Sequence, residues 1–310
     1  MLADRRKKGS SMEQAPGSGQ EPQGGAHSLP SCYRHPGVET GIRCTRCEKP
    51  ICPDCMVSAS VGFQCPDCVR GGSGTGHARD ANKPRTIAGG TVAADPRFVT
   101  KILIGINLAV FLTVLAAGEV FVAETELIGY AFSPALGEVV GVADGEWYRL
   151  LTATVLHQEF MHFAFNMLGL WVIGGMVEPE LGRARYAALC LLSGLSGSAL
   201  VYLIAAPNQP SLGASGVVFG LIGAMAVLAR RRAHDMGPVL LFVALALLLT
   251  FTRPGISWEA HIGGLVGGAL VAAALVHAPR ERRRLVQYTA CGLILLANVV
   301  MVLLRTGALS

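Results

Sequence analysis

Charge is scarce in this chain. Asp, Glu, Lys and Arg together make up 15% of its 310 residues, against about 25% in a typical soluble protein. Hydrophobic residues reach 51% and the mean hydropathy is +0.46, so an ordinary water-soluble chain is excluded. A second absence is local. Residues 1–96 are rich in Gly, Pro, Ser, Arg and Cys and hold no long apolar run, and the first such run begins at Phe98. The opening Met-Leu-Ala-Asp-Arg-Arg-Lys-Lys is not followed by an apolar segment and does not read as a signal peptide. The formal net charge of +5 does not point to nucleic acid. Most of the arginines stand in short clusters between apolar runs, which is a membrane-topology pattern.

The apolar runs divide the chain. Residues 1–30 have almost nothing to bury and are expected as a disordered tail. Residues 31–70 form a Cys-rich module, and 71–96 read as a flexible linker. Seven runs follow, near 98–118, 159–177, 183–206, 215–231, 237–252, 258–278 and 286–304. Each approaches the roughly 20 apolar residues a membrane helix needs, the fifth being the shortest. Backbone groups in lipid must be satisfied within the segment, so the fold class is an all-α polytopic membrane protein. Six of these runs lie within 97–278, and the seventh lies within 279–310 with the C-terminal tail. With the N-terminus inside, nine loop arginines fall on the inner side and three on the outer. The positive-inside rule then expects a cytoplasmic Cys module and an external C-terminus.

Seven of the nine cysteines lie between Cys32 and Cys68. Cys190 and Cys291 fall inside apolar runs and read as packing residues. The seven, with one histidine, form the pairs Cys32/His35, Cys44/Cys47, Cys52/Cys55 and Cys65/Cys68, each separated by two residues. Such a gap lets both side chains of a pair reach one ion. Eight ligands are the number two tetrahedral zinc sites require. In a reducing cytoplasm this spacing means metal rather than disulfides. A module of this size has too little apolar core, so zinc would supply much of its folding energy and is read as structural.

Polar residues inside apolar spans are costly and therefore informative. Ser215 lies in Gly213-Ala214-Ser215-Gly216, at the outer start of the fourth span. In a first helical turn it meets unpaired N–H groups and the positive end of the helix dipole. That suits a nucleophile whose substrate develops an oxyanion, although a Ser capping a helix among glycines has the same residues. His261 stands near the outer start of the sixth span, ahead of Gly263/Gly267 and Gly264/Gly268, two overlapping small-residue patterns that allow close helix packing. At a depth similar to Ser215, it can act as general base. His162 and Asn166, four apart on the second span, share a helix face. With the Ser215 N–H they could hold an oxyanion, or they could serve as interhelical hydrogen bonds. His157 is expected at the hydrated outer end. No acidic residue in the spans is read as a partner for His261, so a Ser–His dyad is expected with no cofactor for catalysis.

Taken together, these motifs resemble the rhomboid family of intramembrane serine proteases. The likeness rests on Gly-Ala-Ser-Gly, on Ala260-His261 followed by Gly264 two spans later, and on His162 with Asn166 two spans earlier. Gly145-Glu146-Trp147-Tyr148-Arg149 resembles the family's Trp-Arg segment, with Tyr148 in place of the usual Trp, and Leu181-Gly182-Arg183 resembles the close of its second span. The resemblance covers about 98–278 and implies a six-helix core plus one extra C-terminal helix. It implies Ser215 as nucleophile, His261 as base, and His162, Asn166 and the Ser215 N–H around the oxyanion. It also implies that Phe219 stacks on the histidine, and that residues 119–158 form a partly embedded outer loop. The implied substrates are transmembrane segments of other membrane proteins, cut near the outer leaflet of a bacterial plasma membrane. The zinc module similarly resembles a B-box finger, in which the first ligand pair joins the third and the second the fourth. Its last pair, Cys65/Cys68, stands where B-boxes usually end in His, and nothing in the sequence names its partner. A rhomboid-like protein that binds membrane clients without cutting, a transporter, and a membrane-anchored zinc module are competing readings. The transporter reading lacks paired acidic residues or an evident inverted repeat, and the anchored zinc module leaves the placement of Ser, His and Asn unexplained.

Overall fold

The computed structural model describes residues 29–71, 85–253 and 255–309. They belong to two units, Met1–Asn82 and Lys83–Ser310. All but the last two residues of the expected tail 1–30 lie outside the described residues.

The first unit is small. Strand β1 (Ser31–Cys32) pairs antiparallel with β2 (His35–Glu39), and β3 (Val57–Ser58) pairs with β4 (Phe63–Gln64). Helix α1 (Pro66–Arg70) follows, with Pro66 in its first turn, where the missing N–H costs nothing. The buried centre consists of Cys32, Cys44, Cys52, Cys55 and Cys65 around a fully buried Ile51. One large aliphatic side chain is not a core that holds a chain together, so the cysteines must contribute more than apolar contact.

The second unit is helical. Helix α2 (Phe98–Ala117) runs into the short α3 (Glu119–Thr125). A hairpin of β5 (Ala131–Ser133) and β6 (Glu138–Val140) and the single turn α4 (Arg149–Thr152) complete the first loop. Then come α5 (Phe160–Gly169), continuous through a wide π turn at Leu170–Gly174 with α6 (Gly175–Leu181), and α7 (Arg183–Ile204). The last four are α8 (Ser215–Arg231), α9 (Gly237–Thr252), α10 (Trp258–His277) and α11 (Arg283–Leu309). Among the described residues, five helices are long and apolar enough to cross a membrane: Phe98–Ala117, Phe160–Leu181, Arg183–Ile204, Trp258–His277 and Arg280–Leu309. The outward faces carry Leu112, Leu115, Leu240, Leu241, Leu248, Leu296 and Leu304, all more than half exposed. Such a surface is unstable in water and at home in lipid. The chain is an integral membrane protein.

Two helices fall short of a full crossing. With 17 and 16 residues, α8 and α9 span about 24–26 Å at 1.5 Å per residue, below the roughly 30 Å of hydrocarbon. A short helix can begin below the membrane surface, and α8 begins at Ser215.

The bundle is packed backbone to backbone. A Cβ added at Gly264 would collide with the Gly216 carbonyl, and one at Gly268 with the Gly220 carbonyl, so α10 and α8 touch along a glycine seam. On its other flank α10 meets α7, where a Cβ on Gly263 would lie 2.5 Å from the Ser196 carbonyl oxygen. In lipid there is little hydrophobic drive between helices, so this close dispersion contact must hold them. The seventh membrane helix, α11, is attached by polar contacts: Asn298 Nδ2 donates to Ser196 Oγ at 3.1 Å, and Tyr202 Oη lies 2.9 Å from Thr306 Oγ1. At the start of α2, the buried Glu178 carboxylate accepts the Val99 and Thr100 N–H groups at 2.8 and 2.9 Å. A negative group there complements both the free donors and the helix dipole.

The expected linker over 71–96 differs from expectation where it is described. Arg85 pairs with Thr91, and Ala88 is fully buried. Thr86 Oγ1 donates to the Leu181 carbonyl at 3.1 Å, and the Ala88 carbonyl accepts from Gln287 Nε2 at 2.9 Å. Thr86, Ile87 and Ala88 have apolar surface to bury, and Gly89, at φ +82°, permits the turn that brings them onto the bundle.

Candidate active site and metal centres

The loop ahead of α8 is pinned by backbone bonds before it delivers Ser215. Leu127 and Ser211 exchange N–H···O bonds of 3.0 and 2.9 Å, and the Gly213 N–H donates to the Ala153 carbonyl at 2.8 Å. The Ala214 N–H then donates to Nε2 of His157 at 3.3 Å. The loop's partners come from the first loop, which is itself held by Arg149. That side chain is fully buried, pairs with Glu146 at 2.7 Å, and donates to the Ala123 and Glu126 carbonyls at 2.7 and 3.0 Å.

Ser215 emerges half-buried as the first residue of α8. Gly213, two residues earlier at φ +121°, leaves room for His162: a Cβ there would lie 2.7 Å from His162 Nε2. The imidazole edge thus rests against the segment that carries Ser215. Asn166, one turn further along α5, is buried and donates one amide N–H to the His162 carbonyl at 2.9 Å. An amide has two N–H donors, so one remains.

His261 sits in the first turn of α10, buried. Its ring stacks on Phe219 with centroids 4.0 Å apart and planes 15° from parallel. Phe219 follows Ser215 by four residues and shares its face of α8. The glycine seam starts one residue after Ser215 and three after His261, which sets both at the same end of adjacent helices. Nδ1 of His261 lies 2.7 Å from Thr250 Oγ1 on α9. Beneath the start of α8, a cavity of 20 Å³ is bounded by Thr154, Ser198, Ser211, Gly213 and Gly216, room for about one water molecule.

Ser215, His261 and His162 are thus gathered at one end of the bundle, with Asn166 a turn along α5. One residue here departs from the sequence reading and another lay outside it. His157, expected at a hydrated end, is fully buried and edge-on to His162 at 5.1 Å. The Ala214 N–H needs an acceptor in an apolar setting, and His157 provides it. Thr250 was signalled only by a hydroxyl in the otherwise apolar Leu247-Leu248-Leu249-Thr250-Phe251.

In the first unit the eight expected ligands form two clusters: Cys32, His35, Cys52 and Cys55, and Cys44, Cys47, Cys65 and Cys68. Within each, all donor atoms lie within 4.8 Å of one another. The pairs interleave, first with third and second with fourth. His35 Nδ1 lies 3.2 Å from Cys52 Sγ and 3.6 Å from Cys55 Sγ, and Cys47 and Cys65 sulfurs are 3.6 Å apart. A tetrahedral ion with sulfur at about 2.3 Å and nitrogen at about 2.0 Å spaces its donors at about 3.5–3.8 Å, so the residues fit a metal. The electrostatics agree. Burial raises the Cys32 thiol, but backbone N–H groups of Cys52, Arg34 and His35 outweigh it and bring it down to about 6. Burial, followed by the neighbouring Cys32 and Cys52, pushes Cys55 up to about 11. Without an ion, burial and crowding keep Cys55 a thiol beside the more acidic Cys32; a cation among the four would favour the thiolates.

The Rhomboid domain family profile matches residues 144–278. Rhomboid protease GluP of Bacillus subtilis (strain 168) is 39% identical over 139 residues, covering 43% of this chain and 27% of that protein. Rhomboid protease AarA of Providencia stuartii is 28% identical over 169 residues, covering 45% of this chain and 59% of the relative. This chain therefore spans only a part of those two proteins. Putative rhomboid protease YdcA of the same Bacillus strain is 34% identical over 152 residues, 47% of this chain and 76% of the relative. On that coverage and on the arrangement just described, the chain belongs to the rhomboid family.

Proposed function

We propose that this protein is an intramembrane serine endopeptidase that cuts transmembrane segments of other membrane proteins near the outer leaflet. The observation that carries the reading is the stacking of His261 on Phe219, across a glycine seam that begins beside Ser215. In this reading Ser215 Oγ attacks the scissile carbonyl carbon while its proton passes to Nε2 of His261. The carbonyl oxygen becomes an oxyanion, held by the Ser215 N–H and by His162 and Asn166. Such donors are worth about 3–4 kcal/mol each when aimed at the developing charge. His261 then protonates the leaving amine nitrogen, the C–N bond breaks, and an acyl ester on Ser215 remains. A water gives a proton to His261 as its oxygen bonds to the ester carbon; the C–Oγ bond then breaks, His261 returns the proton to Ser215 Oγ, and the carboxyl product leaves. The 20 Å³ cavity beside Gly213 and Gly216 offers this water a resting place.

A scissile carbonyl in an intact helix is hydrogen-bonded and shielded, so substrates need helix-weakening residues at the cut. The arginine distribution supports a cytoplasmic N-terminus and an external C-terminus, with the site opening outward. The two Cys/His clusters are assigned to structural zinc, which tetrahedral sulfur-rich sets favour. The divisions at 31–70, 97–278 and 279–310 follow as a zinc module, a six-helix protease core and an added helix.

The test is reconstitution of the full chain in proteoliposomes with a single-span substrate rich in small residues. Cleavage within the span, lost in both Ser215→Ala and His261→Ala, is expected. Substrate capture without cleavage in the wild type would favour a client-binding protein instead.

A further inference from the structure

The protease reading leaves His261 without a carboxylate to orient it. Among the described residues no acid hydrogen-bonds its ring, and Glu259, two positions earlier, is 3.1 Å from Ser257 Oγ. Yet a base must present the right nitrogen. Neutral imidazole carries one proton, and only the bare nitrogen can receive another.

Thr250 resolves this by proton counting. It is buried on α9, and its Oγ1 lies 2.8 Å from the Ala246 carbonyl oxygen and 2.7 Å from His261 Nδ1. A carbonyl only accepts, so both contacts are hydrogen bonds at once only when the single hydroxyl proton of Thr250 goes to Ala246. Toward His261 the hydroxyl then offers only a lone pair, and Nδ1 must carry the hydrogen. Nε2 is left bare. Phe219 fixes the plane of the ring by stacking, and the bond from Thr250 fixes its rotation within that plane. Thr252 provides an internal comparison: it makes the same bond to the carbonyl four residues back, at 2.7 Å to Leu248, but faces outward and touches no histidine. Back-bonding alone therefore does not explain why the Thr250 hydroxyl is turned onto His261.

We infer that Thr250 is a positioning residue, whose hydroxyl accepts the Nδ1–H of His261 and holds the base in the tautomer that takes the Ser215 proton at Nε2. This rests on the assignment of Ser215 and His261 above. When Nε2 is protonated, the Nδ1–H···O bond gains charge assistance while the Thr250 proton stays on Ala246. A neutral hydroxyl orients the ring without placing a second costly charge in the membrane.

The test uses the full chain in nanodiscs. In ¹⁵N-histidine NMR of the wild type near neutral pH, His261 is expected with a protonated Nδ1 and a bare Nε2. Thr250→Val removes the acceptor at nearly constant shape. It is expected to lower kcat about ten- to a hundredfold, the worth of one hydrogen bond to a charged group, with KM unchanged. Thr250→Ser should restore the rate, and Thr252→Val should match wild type. A wild-type His261 protonated at Nε2, or a Thr250→Val enzyme with undiminished kcat, overturns the inference. If Thr250→Val does not fold, the wild-type NMR and the Thr250→Ser rate still decide it. A wild type that cuts nothing sinks the protease reading instead, and the nitrogen shifts then judge the Thr250 bond separately.

Discussion

Where the first unit buries cysteines, the second buries glycines. Neither relies on an ordinary aliphatic core alone. Residues 29–71 have only Ile51 as a fully buried large aliphatic, and their centre is thiols arranged in two tetrads. Each tetrad has the donors and spacing to hold a metal ion, which would supply the stability that so small a core lacks. In the bundle, Gly216, Gly220, Gly264 and Gly268 bring two backbones into contact beside a buried core that includes Leu189, Leu221 and Val271, while other large side chains face outward. Its stability comes from close contact where the hydrophobic effect between helices is absent. The lesson is that the two units are built around different residues: cysteines spaced for an ion in the first, and glycines set within an apolar core in the second.

The strongest way to break this comparison is to remove metal. A strong chelator should abolish hydrogen-exchange protection throughout 29–71, since structural zinc supplies about 10–16 kcal/mol of apparent binding energy. Protection in 98–309 should be unchanged. Lowering the pH acts in the same direction, because protonated thiols release the ion. The converse test is Gly264→Leu, which drives a side chain into the Gly216 carbonyl. Overpacking costs about 1–3 kcal/mol or more, and here it also shifts Ser215 relative to His261. A lower thermal midpoint and loss of cleavage are expected, with metal binding by the first unit intact. Smaller is His157→Ala, which leaves the Ala214 N–H without its acceptor. An unsatisfied buried donor costs about 1–3 kcal/mol, readable as faster exchange of the amides from 211 to 216. Smallest is Gly292→Ala on α11, where an added Cβ meets nothing within 4 Å. Its effect on the thermal midpoint should correspond to less than about 1 kcal/mol, with the sign set by helix propensity.

How far the molecule could be read beforehand follows the same division. The five long apolar helices and the shorter α8 and α9 are legible because apolar runs are local signals. The candidate metal ligands are equally local, each pair separated by two residues. Ser215 and His261 stand out because polar groups beside glycines are rare in membrane spans. The contacts among these parts are not local. Nothing near His157 in sequence announces that Ala214 needs an acceptor. Nothing near Thr250 announces that the seam between α8 and α10 turns His261 toward α9. The segment 85–96 looked like a linker because its composition is small and polar. It is ordered through bonds to Leu181 and Gln287, residues far along the chain. Composition cannot carry information of that kind.

The central claim is that Ser215 and His261 act as one chemical unit. A fluorophosphonate probe on the reconstituted full chain, with the adduct located by peptide mass spectrometry, tests it most directly. The account predicts a single adduct on Ser215 in the wild type, and loss of labelling in His261→Ala with the fold retained. Labelling at another serine, or labelling of Ser215 that survives the removal of His261, would contradict it.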